Sequence, residues 1–408
     1  MISYAQALEL LLAQSPPLED EWCRSSEALS RVLAEAVQAP CALPPFANAA
    51  MDGYALASNG NVLAAGSEYE VSGLIAAGTP PPADAEAKVW EITTGAAVPA
   101  GLDCIVPLER VESLQGGRIR LRETLVGGRN VRQRGSDIAL GEQVGATGQR
   151  IDPALCMMLA ALGIDRIKVR RRPRVALLST GAELVADASL PLGEGRIYAA
   201  NAPYLEASLR AMGAEVIANT TLGDDAQAFA EQLREVATEA DLVLSTGAVS
   251  MGRHDFVPAS LRARDARLLF HKVAIRPGKP LLAASLPEGP LFIGLPGNPI
   301  AAAVGFRFLA VPVLRAMLGM PPEIPLRVRL LESVHVAAGL RRFFKARLRQ
   351  TGSSGLGVEL LQGQESYRIG SLLQANAWAV LDEGANELPV GTLVDVLPRD
   401  AGGGWFID

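Results

Sequence analysis

The sequence predicts a multi-domain α/β protein organised around one doubly wound domain, and three observations predict it. First, Val175–Leu178, Asp241–Leu244 and Leu291–Ile293 are short, largely apolar runs that each stop at a Gly/Ser/Thr/Pro loop. Runs of this kind read as central strands of a parallel sheet, buried on both faces. Second, helical patterns of suitable length lie between them, which is the signature of a doubly wound unit. Third, the texture changes on both sides of this unit to short β-branched runs between Gly and Pro turns. Those changes predict a β-rich unit from about Tyr69 to Val144 and a separate C-terminal β-domain after MPPEIP at 320–325.

Taken in order, residues 3–15 and 26–38 alternate apolar and polar positions at helical spacing, predicting two amphipathic helices joined by a SPPLEDEW turn. In CALPPFANAAMDGYAL, Pro44-Pro45 imposes an extended path and Asp52-Gly53 signals a turn. Asp52 there either makes an Asx-turn or points into a site. EYEVSGLIAAG, KVWEITTGAAVP, DCIVPLERVE and GRIRLRE read as strands, with the Thr94-Gly95-Ala96 and Arg134-Gly135-Ser136-Asp137 clusters as loops. At 151–164 a helix is predicted, with Asp152 as N-cap, Pro153 at its first position and Gly163 as its stop. The basic run KVRRRPR (168–174) lacks interleaved aromatics and reads as a solvated hinge.

Within the central unit, Asn201 is expected to cap a helix with a Leu205, Leu209, Met212 stripe, ended by Gly213. A strand at Val216–Thr220, the loop 222–225 and a helix from 226 to 238 follow, and Asn298-Pro299 opens a long helix. RVRLLESVHV, FFKARLRQ, GVELLQ, AWAVLDE and TLVDVLP are the expected strands of the C-terminal unit.

Composition narrows the function classes. The chain has 408 residues, 49% hydrophobic and only 20% charged, which suits ordered globular domains. A formal net charge of -6 argues against wholesale nucleic-acid or membrane-surface binding. The four cysteines, Cys23, Cys41, Cys104 and Cys156, are far apart and form no CxxC, so neither a disulfide framework nor a structural zinc is signalled. The start MISYAQALELLLAQ has no basic region and carries Glu9, unlike a secretion signal, and the most apolar segment, Ile300–Leu318, is interrupted by Arg307 and Pro312. A soluble protein of the reducing cytoplasm is the expectation.

Ligands of doubly wound sheets sit outside the carboxyl ends of the strands, where the Gly-rich loops of this chain fall. Such loops supply backbone N–H groups and helix N-termini suited to an anion such as phosphate. HKVAIRPGKP adds Lys272 and Arg276, four apart and expected on one face of a strand, with Pro277-Gly278 turning Lys279 back toward them. Glu183, Asp224 and Asp255 follow neighbouring loops, and carboxylates beside phosphates suit Mg²⁺. Nucleophilic catalysis has little support: His254, His271 and His335 are the only histidines, with no HExxH, and Gly247–Gly252 misses GxSxG. Neither GxGxxG nor GxxxxGK[ST] occurs.

As a set, PPFANAAMDGYAL, TTGAAVPAGLDCIVPLE, RQRGSDI, VALLSTGAEL, LSTGAVSMGRHDF, IRPGKP and GLPGNP resemble, in this order, the MoeA family of molybdopterin molybdenumtransferases, to which the C-terminal domain of gephyrin also belongs. The resemblance spans nearly the whole chain. It implies a linker domain from 1–43 with 142–170, a β-rich domain at 44–141, a molybdopterin-binding α/β domain at 171–319 and a small C-terminal β-barrel at 320–408. It implies an elongated homodimer whose cleft lies between the third domain of one subunit and the second of the other. It implies insertion of molybdate into the dithiolene of adenylylated molybdopterin, with release of AMP and Mg²⁺ present.

On that resemblance the functional acids are Asp52, Asp137, Glu183, Asp224 and Asp255, with Glu183, Asp224 and Asp255 as metal ligands. Thr94 matches a polar loop residue. Gly181, Gly247, Gly252, Gly297 and Asn298 shape a pterin-phosphate cradle flanked by Ser179, Thr180, Ser245, Ser250 and Pro296. Lys272, Arg276 and Lys279 neutralise oxyanions, and Arg342, Lys345, Ser366 and Ser371 are contacts from the fourth domain. Expected partners are the substrate, molybdate, a second copy, the molybdopterin adenylyltransferase and molybdoenzyme chaperones, with no nucleic acid and no membrane.

The chain departs from the family pattern at several points. TGAEL stands for TGDEL, Arg276 for a lysine, and Gly363-Gln364-Glu365-Ser366-Tyr367 for a GQGSG-like loop. Adenylylation of molybdopterin, a gephyrin-like dimeric scaffold and a tungstate-using paralogue are the alternative readings.

Overall fold

The computed structural model describes residues 1–83, 85, 88–248, 256–352 and 355–402. The first helix, Tyr4–Leu12, is opened by a reciprocal cap in which the Gln6 N–H donates to Ser3 Oγ at 3.2 Å and the Ser3 N–H to Gln6 Oε1 at 3.1 Å. Its Ala7 and Leu11 are buried against the core of the central unit.

Residues 26–38 do not form the expected second helix. Only a 3₁₀ turn at Ser25–Glu27 forms, and Ser30, at φ 66°, breaks helical continuation. Val32 and Leu33 then bridge Arg150 and Val169, and Val37–Gln38 pairs with Gln143–Gly145. Val32 and Leu33 are both buried, and Leu33 is drawn into a cluster with Ile151, Leu155, Leu159 and Ile167, so tertiary burial overrides a helical spacing. The end of the expected SPPLEDEW turn is likewise a strand, Asp20–Arg24, antiparallel to Arg166–Arg170.

The basic run is no solvated hinge. Arg171 grips Asp241 through two bonds of 2.7 Å and adds Glu19 at 2.7 Å, while Arg170 and Arg172 donate to the carbonyls of Leu18 and Gly213. Arg174 pairs with Glu239. These forked contacts fasten the N-terminal unit to the α/β unit.

The β-rich unit is a six-stranded sheet in the spatial order Cys104–Pro107, Gly53–Leu56, Val89–Ile92, Glu68–Ile75, Arg118–Leu121, Val111–Leu114. Gly53 enters a central strand rather than a tight turn: a Cβ there would lie 2.0 Å from the Val106 carbonyl oxygen. Close backbone approach, not turn geometry, is what requires glycine beside Asp52.

The central sheet comprises β1 (Arg174–Thr180), β2 (Glu215–Leu222), β3 (Leu242–Thr246), β4 (Arg267–His271), β5 (Leu282–Ser285) and β6 (Leu291–Leu295), in the order β2-β1-β3-β6-β5-β4. β2, β1, β3 and β6 are mutually parallel, and β5 alone runs against its neighbours. Alternate residues of β1 feed two apolar layers: Val175 and Leu177 on one face, Ala176 and Leu178 on the other. Burial on both faces explains why these strands are so uniformly apolar.

The helical segment Pro299–Met317 passes through the first of these layers and is mostly buried inside the protein, although it is long and apolar enough to cross a bilayer. A π turn at Phe306–Ala310 interrupts it. Pro312 has no N–H to offer the Phe308 carbonyl, and the Tyr4 hydroxyl donates to that carbonyl instead, at 3.0 Å. Arg307, 2% exposed, is paid for by Glu323 at 2.7 and 3.1 Å and by the Pro398 carbonyl at 3.2 Å.

The C-terminal unit is a closed barrel. Arg341–Thr351 pairs on one side with Gly355–Leu360 and on the other with Ala377–Leu381, and Leu326–Leu330 and Leu393–Pro398 complete the circuit. Phe343 and Trp378 of the barrel share the core of the α/β unit, where Phe308 lies 4.1 and 6.0 Å from their ring centres.

Candidate active site at the carboxyl edge of the sheet

The carboxyl ends of β1, β3 and β6 share one edge of the sheet and carry hydroxyl residues and glycine loops. Thr246 Oγ1 donates to Ser179 Oγ at 3.2 Å, and Thr180 Oγ1 to the Thr246 carbonyl at 3.1 Å. Gly247, at φ 88°, lies so close to β1 that a Cβ would stand 2.3 Å from the Thr180 carbonyl oxygen. Only glycine lets the two loops close up.

Beyond them opens a cavity of about 520 Å³, whose walls include Ser179, Glu183, Tyr198, Asn201, Thr246, Gly297, Asn298 and Tyr367. That volume suits a small-molecule site. Glu183 is exposed there, and among the described residues no cation pairs with it. Its carboxylate folds back over Gly181, where a Cβ would meet Oε2 at 2.8 Å.

Several expected contacts are corrected. Asn201 does not cap its helix, Asn201–Ala211; its Nδ2 donates to the Gly297 carbonyl at 2.8 Å and steadies the PGNP loop. Ser245 is fully buried and Pro296 is buried, and neither lines the cavity. Thr246, one residue on, does line it; the parity of the strand sends these two side chains to opposite faces. Tyr198 and Tyr367 also line it and were not expected there. A lone tyrosine carries no local signal of the surface it faces.

Lys272 and Arg276 do not share one face of a strand. Lys272 takes φ 74° just after β4, and Ile275–Arg276 instead pairs in parallel with Arg341–Arg342 of the barrel. β4 ends at the same edge as β6, so Lys272, Arg276 and Lys279 remain at the carboxyl edge. Arg276 and Arg342 line a second cleft of about 540 Å³ with His335, Gln364 and Glu365. Among the described residues no carboxylate pairs with Arg276, Lys272, Lys279 or Arg342. Burial, and then the charge of Arg276, lower the pKa of the Arg342 guanidinium.

Lys345 is not a substrate contact. It is completely buried, and its Nζ donates to the Gly363 carbonyl at 2.6 Å and the Arg368 carbonyl at 3.0 Å. Ser371 Oγ donates to the same two carbonyls, and Gln364 bonds the backbone of Lys345 in both directions. These residues brace loop 363–368. At its tip the Ser366 carbonyl accepts from the Ile300 N–H at 2.9 Å, filling one of the open donors of the helix that begins at Pro299. Ser366 makes this contact through its backbone. The loop separates the two clefts, with Tyr367 on one side and Gln364 and Glu365 on the other.

Of the other expected acids, Asp52, Asp137 and Asp224 do not line the cavity. Asp52 Oδ1 accepts from the Thr94 N–H at 2.6 Å and the Thr94 hydroxyl at 2.8 Å, and these bonds, the backbone one first, hold its carboxyl below the usual range. Asp137 and Asp224 are exposed, and it is Asp225 that caps the following helix, accepting from Gln227 and Ala228. Ser250, Gly252 and Asp255 lie outside the described residues. Among the described residues no group of three or more His, Cys, Asp or Glu side chains is gathered for a metal. A single open carboxylate, Glu183, nevertheless fits Mg²⁺, which takes one or two carboxylates and completes its shell with phosphate oxygens and water.

Family models match in three stretches: the MoeA N-terminal region (domains I and II) over residues 2–163, a probable molybdopterin binding domain over 176–316, and the MoeA C-terminal region (domain IV) over 327–398. A molybdopterin molybdenumtransferase of Synechococcus elongatus is 37% identical over 97% of this chain and 99% of its own length. One from Haemophilus influenzae is 31% identical over 98% of each. The crystal structure of a molybdopterin biosynthesis MoeA protein from Pyrococcus horikoshii superposes with a TM-score of 0.81 at 26% identity, covering 99% of this chain and all of that one. With three matched regions in sequence, one fold and a relative aligned over nearly its full length, the chain belongs to the MoeA family of molybdopterin molybdenumtransferases, enzymes of molybdenum cofactor biosynthesis.

Proposed function

We propose that this chain inserts molybdate into the dithiolene of adenylylated molybdopterin and releases AMP. The observation that carries the reading is the pairing of two clefts across one braced loop. One offers hydroxyls, the PGNP loop and the open carboxylate of Glu183; the other offers Arg276 and Arg342 without acidic partners. A phosphate-linked substrate suits the first and a tetrahedral dianion the second.

In this reading the dithiolene sulfurs displace oxygen from molybdate as water, and the phosphoanhydride link to AMP is hydrolysed. No protein nucleophile is needed. Mg²⁺ would supply charge neutralisation at the phosphates, with Glu183 as its protein carboxylate. Asp52 and Asp137, exposed on the β-rich unit, would complete the site of a second copy in a homodimer.

AMP release from adenylylated molybdopterin and Mg²⁺, measured with and without molybdate, tests the reading. Molybdate-dependent release supports it, and tungstate run in parallel reports oxyanion choice. Release that ignores both oxyanions, or ATP-dependent turnover of free molybdopterin, overturns it.

A further inference from the structure

The first cleft contains two aromatic rings that belong to none of the apolar cores. Tyr198 is 41% exposed and Tyr367 is 62% exposed, and both line the cavity. Large rings left open to solvent forgo the burial that usually keeps them inside. Tyr198 is fixed by a 2.8 Å bond from its hydroxyl to the Leu190 carbonyl. Tyr367 is carried by the braced loop: Lys345 and Ser371 hold the carbonyls on either side of it, and the preceding residue is tied to the helix at Ile300. A side chain on a backbone anchored at so many points is presented rather than loose, so little entropy is lost when a ligand packs on it. The Arg368 guanidinium lies 5.9 Å from the Tyr367 ring centre, and the side chain remains largely open to solvent.

The same cavity is lined by the amide side chains of Asn201 and Asn298 and by the hydroxyls of Ser179 and Thr246. A ligand suited to this cavity therefore combines a planar apolar face with an anionic or polar group. We propose that Tyr367 is a specificity-determining residue of this site, stacking on a fused, planar nitrogen heterocycle whose phosphate is held at the strand ends. The assignment rests on the function proposed above, whose substrate carries two such heterocycles, an adenine and a pterin.

The test is calorimetric titration of the full chain with AMP, with neopterin phosphate and with ribose 5-phosphate, each with Mg²⁺, for the parent protein, Tyr367→Phe and Tyr367→Ala. Stacking of a base on an aromatic side chain is worth about 1–3 kcal/mol. Tyr367→Ala is therefore expected to weaken AMP, neopterin phosphate or both by about ten-fold or more, to leave ribose 5-phosphate unchanged, and to be rescued by Tyr367→Phe. Which of the two loses affinity identifies the stacked ring. Equal affinities for the parent and Tyr367→Ala with both heterocycles overturn the stacking and leave the function standing. Equal losses for all three ligands, ribose 5-phosphate included, also overturn it, because they mark a general disturbance of the loop. A parent protein that binds none of the three removes the phosphate site itself and both readings with it.

Discussion

The two clefts flanking loop 363–368 hold their charge in opposite ways. In the first, the charged group is a carboxylate in contact with solvent, and the donors around it are neutral hydroxyls and amides already bonded to one another. In the second, two guanidiniums share a cleft whose carboxylate, Glu365, pairs with Arg368 and with neither of them, and Arg342 is only 8% exposed. The first is stable without a ligand and needs a cation to complete it. The second is electrostatically unfinished and needs an anion. A substrate carrying phosphates and an oxyanion co-substrate can thus be sorted by charge before any chemistry occurs.

If this division holds, Glu183→Gln lowers AMP release by about a hundred-fold or more, the usual effect of removing one preorganised charge from a site, while molybdate binding measured by equilibrium dialysis stays unchanged. Parallel loss of both would merge the clefts into one. Lys345→Met removes the charged donor that braces the loop between them and leaves the Gly363 and Arg368 carbonyls to share the single Ser371 hydroxyl; a cost of roughly 1–3 kcal/mol in urea unfolding is expected, with affinity weakened on both sides. Arg342→Met acts on the second cleft alone. Molybdate affinity falls about ten-fold, in keeping with the loss of one charge-assisted contact. The urea midpoint moves little, because relief of a desolvated guanidinium repelled by Arg276 offsets loss of its 2.9 Å bond to the Ala337 carbonyl.

The gentlest change lies outside both clefts. Thr94→Val deletes the hydroxyl bond to Asp52 but keeps the backbone bond that dominates its lowered pKa. The Asp52 carboxyl then titrates at higher pH, nearer its ordinary value, so the acid limb of the pH–rate profile moves toward neutrality. An unmoved limb would show that Asp52 ionisation does not govern the rate.

How much of this was legible in the sequence depends on the range of the interaction. Strands β1, β3 and β6 were readable because burial on both faces leaves them no polar alternation. Helix starts at Asp152-Pro153 and Asp225 were readable because the cap and the helix are local. Residues 26–38 misled because Val32 and Leu33 satisfy strand partners more than a hundred residues away as well as they would a helical face. Arg171 looked like a solvated charge because its acid, Asp241, is 70 residues distant. Lys345 looked like a ligand contact because the carbonyls that consume its ammonium belong to a loop shaped only when the barrel closes. In the site, Glu183 and Gly297 could be picked out by type, but which hydroxyls, rings and amides face the cavity is decided by packing between units.

The bond from the Ile300 N–H to the Ser366 carbonyl also orders events during synthesis. The strands, the glycine loops and the helix from Pro299 all leave the ribosome before the segment that walls their cavity and covers that helix end. Because units fold as they emerge, a nascent chain halted before residue 360 holds Glu183, Asn201 and Asn298 but presents an open trough without Tyr367 and an apolar layer without Trp378. Completion of the barrel therefore closes the binding site and the core behind it in one step, and a chain truncated within the barrel would lose ligand retention and sheet stability together.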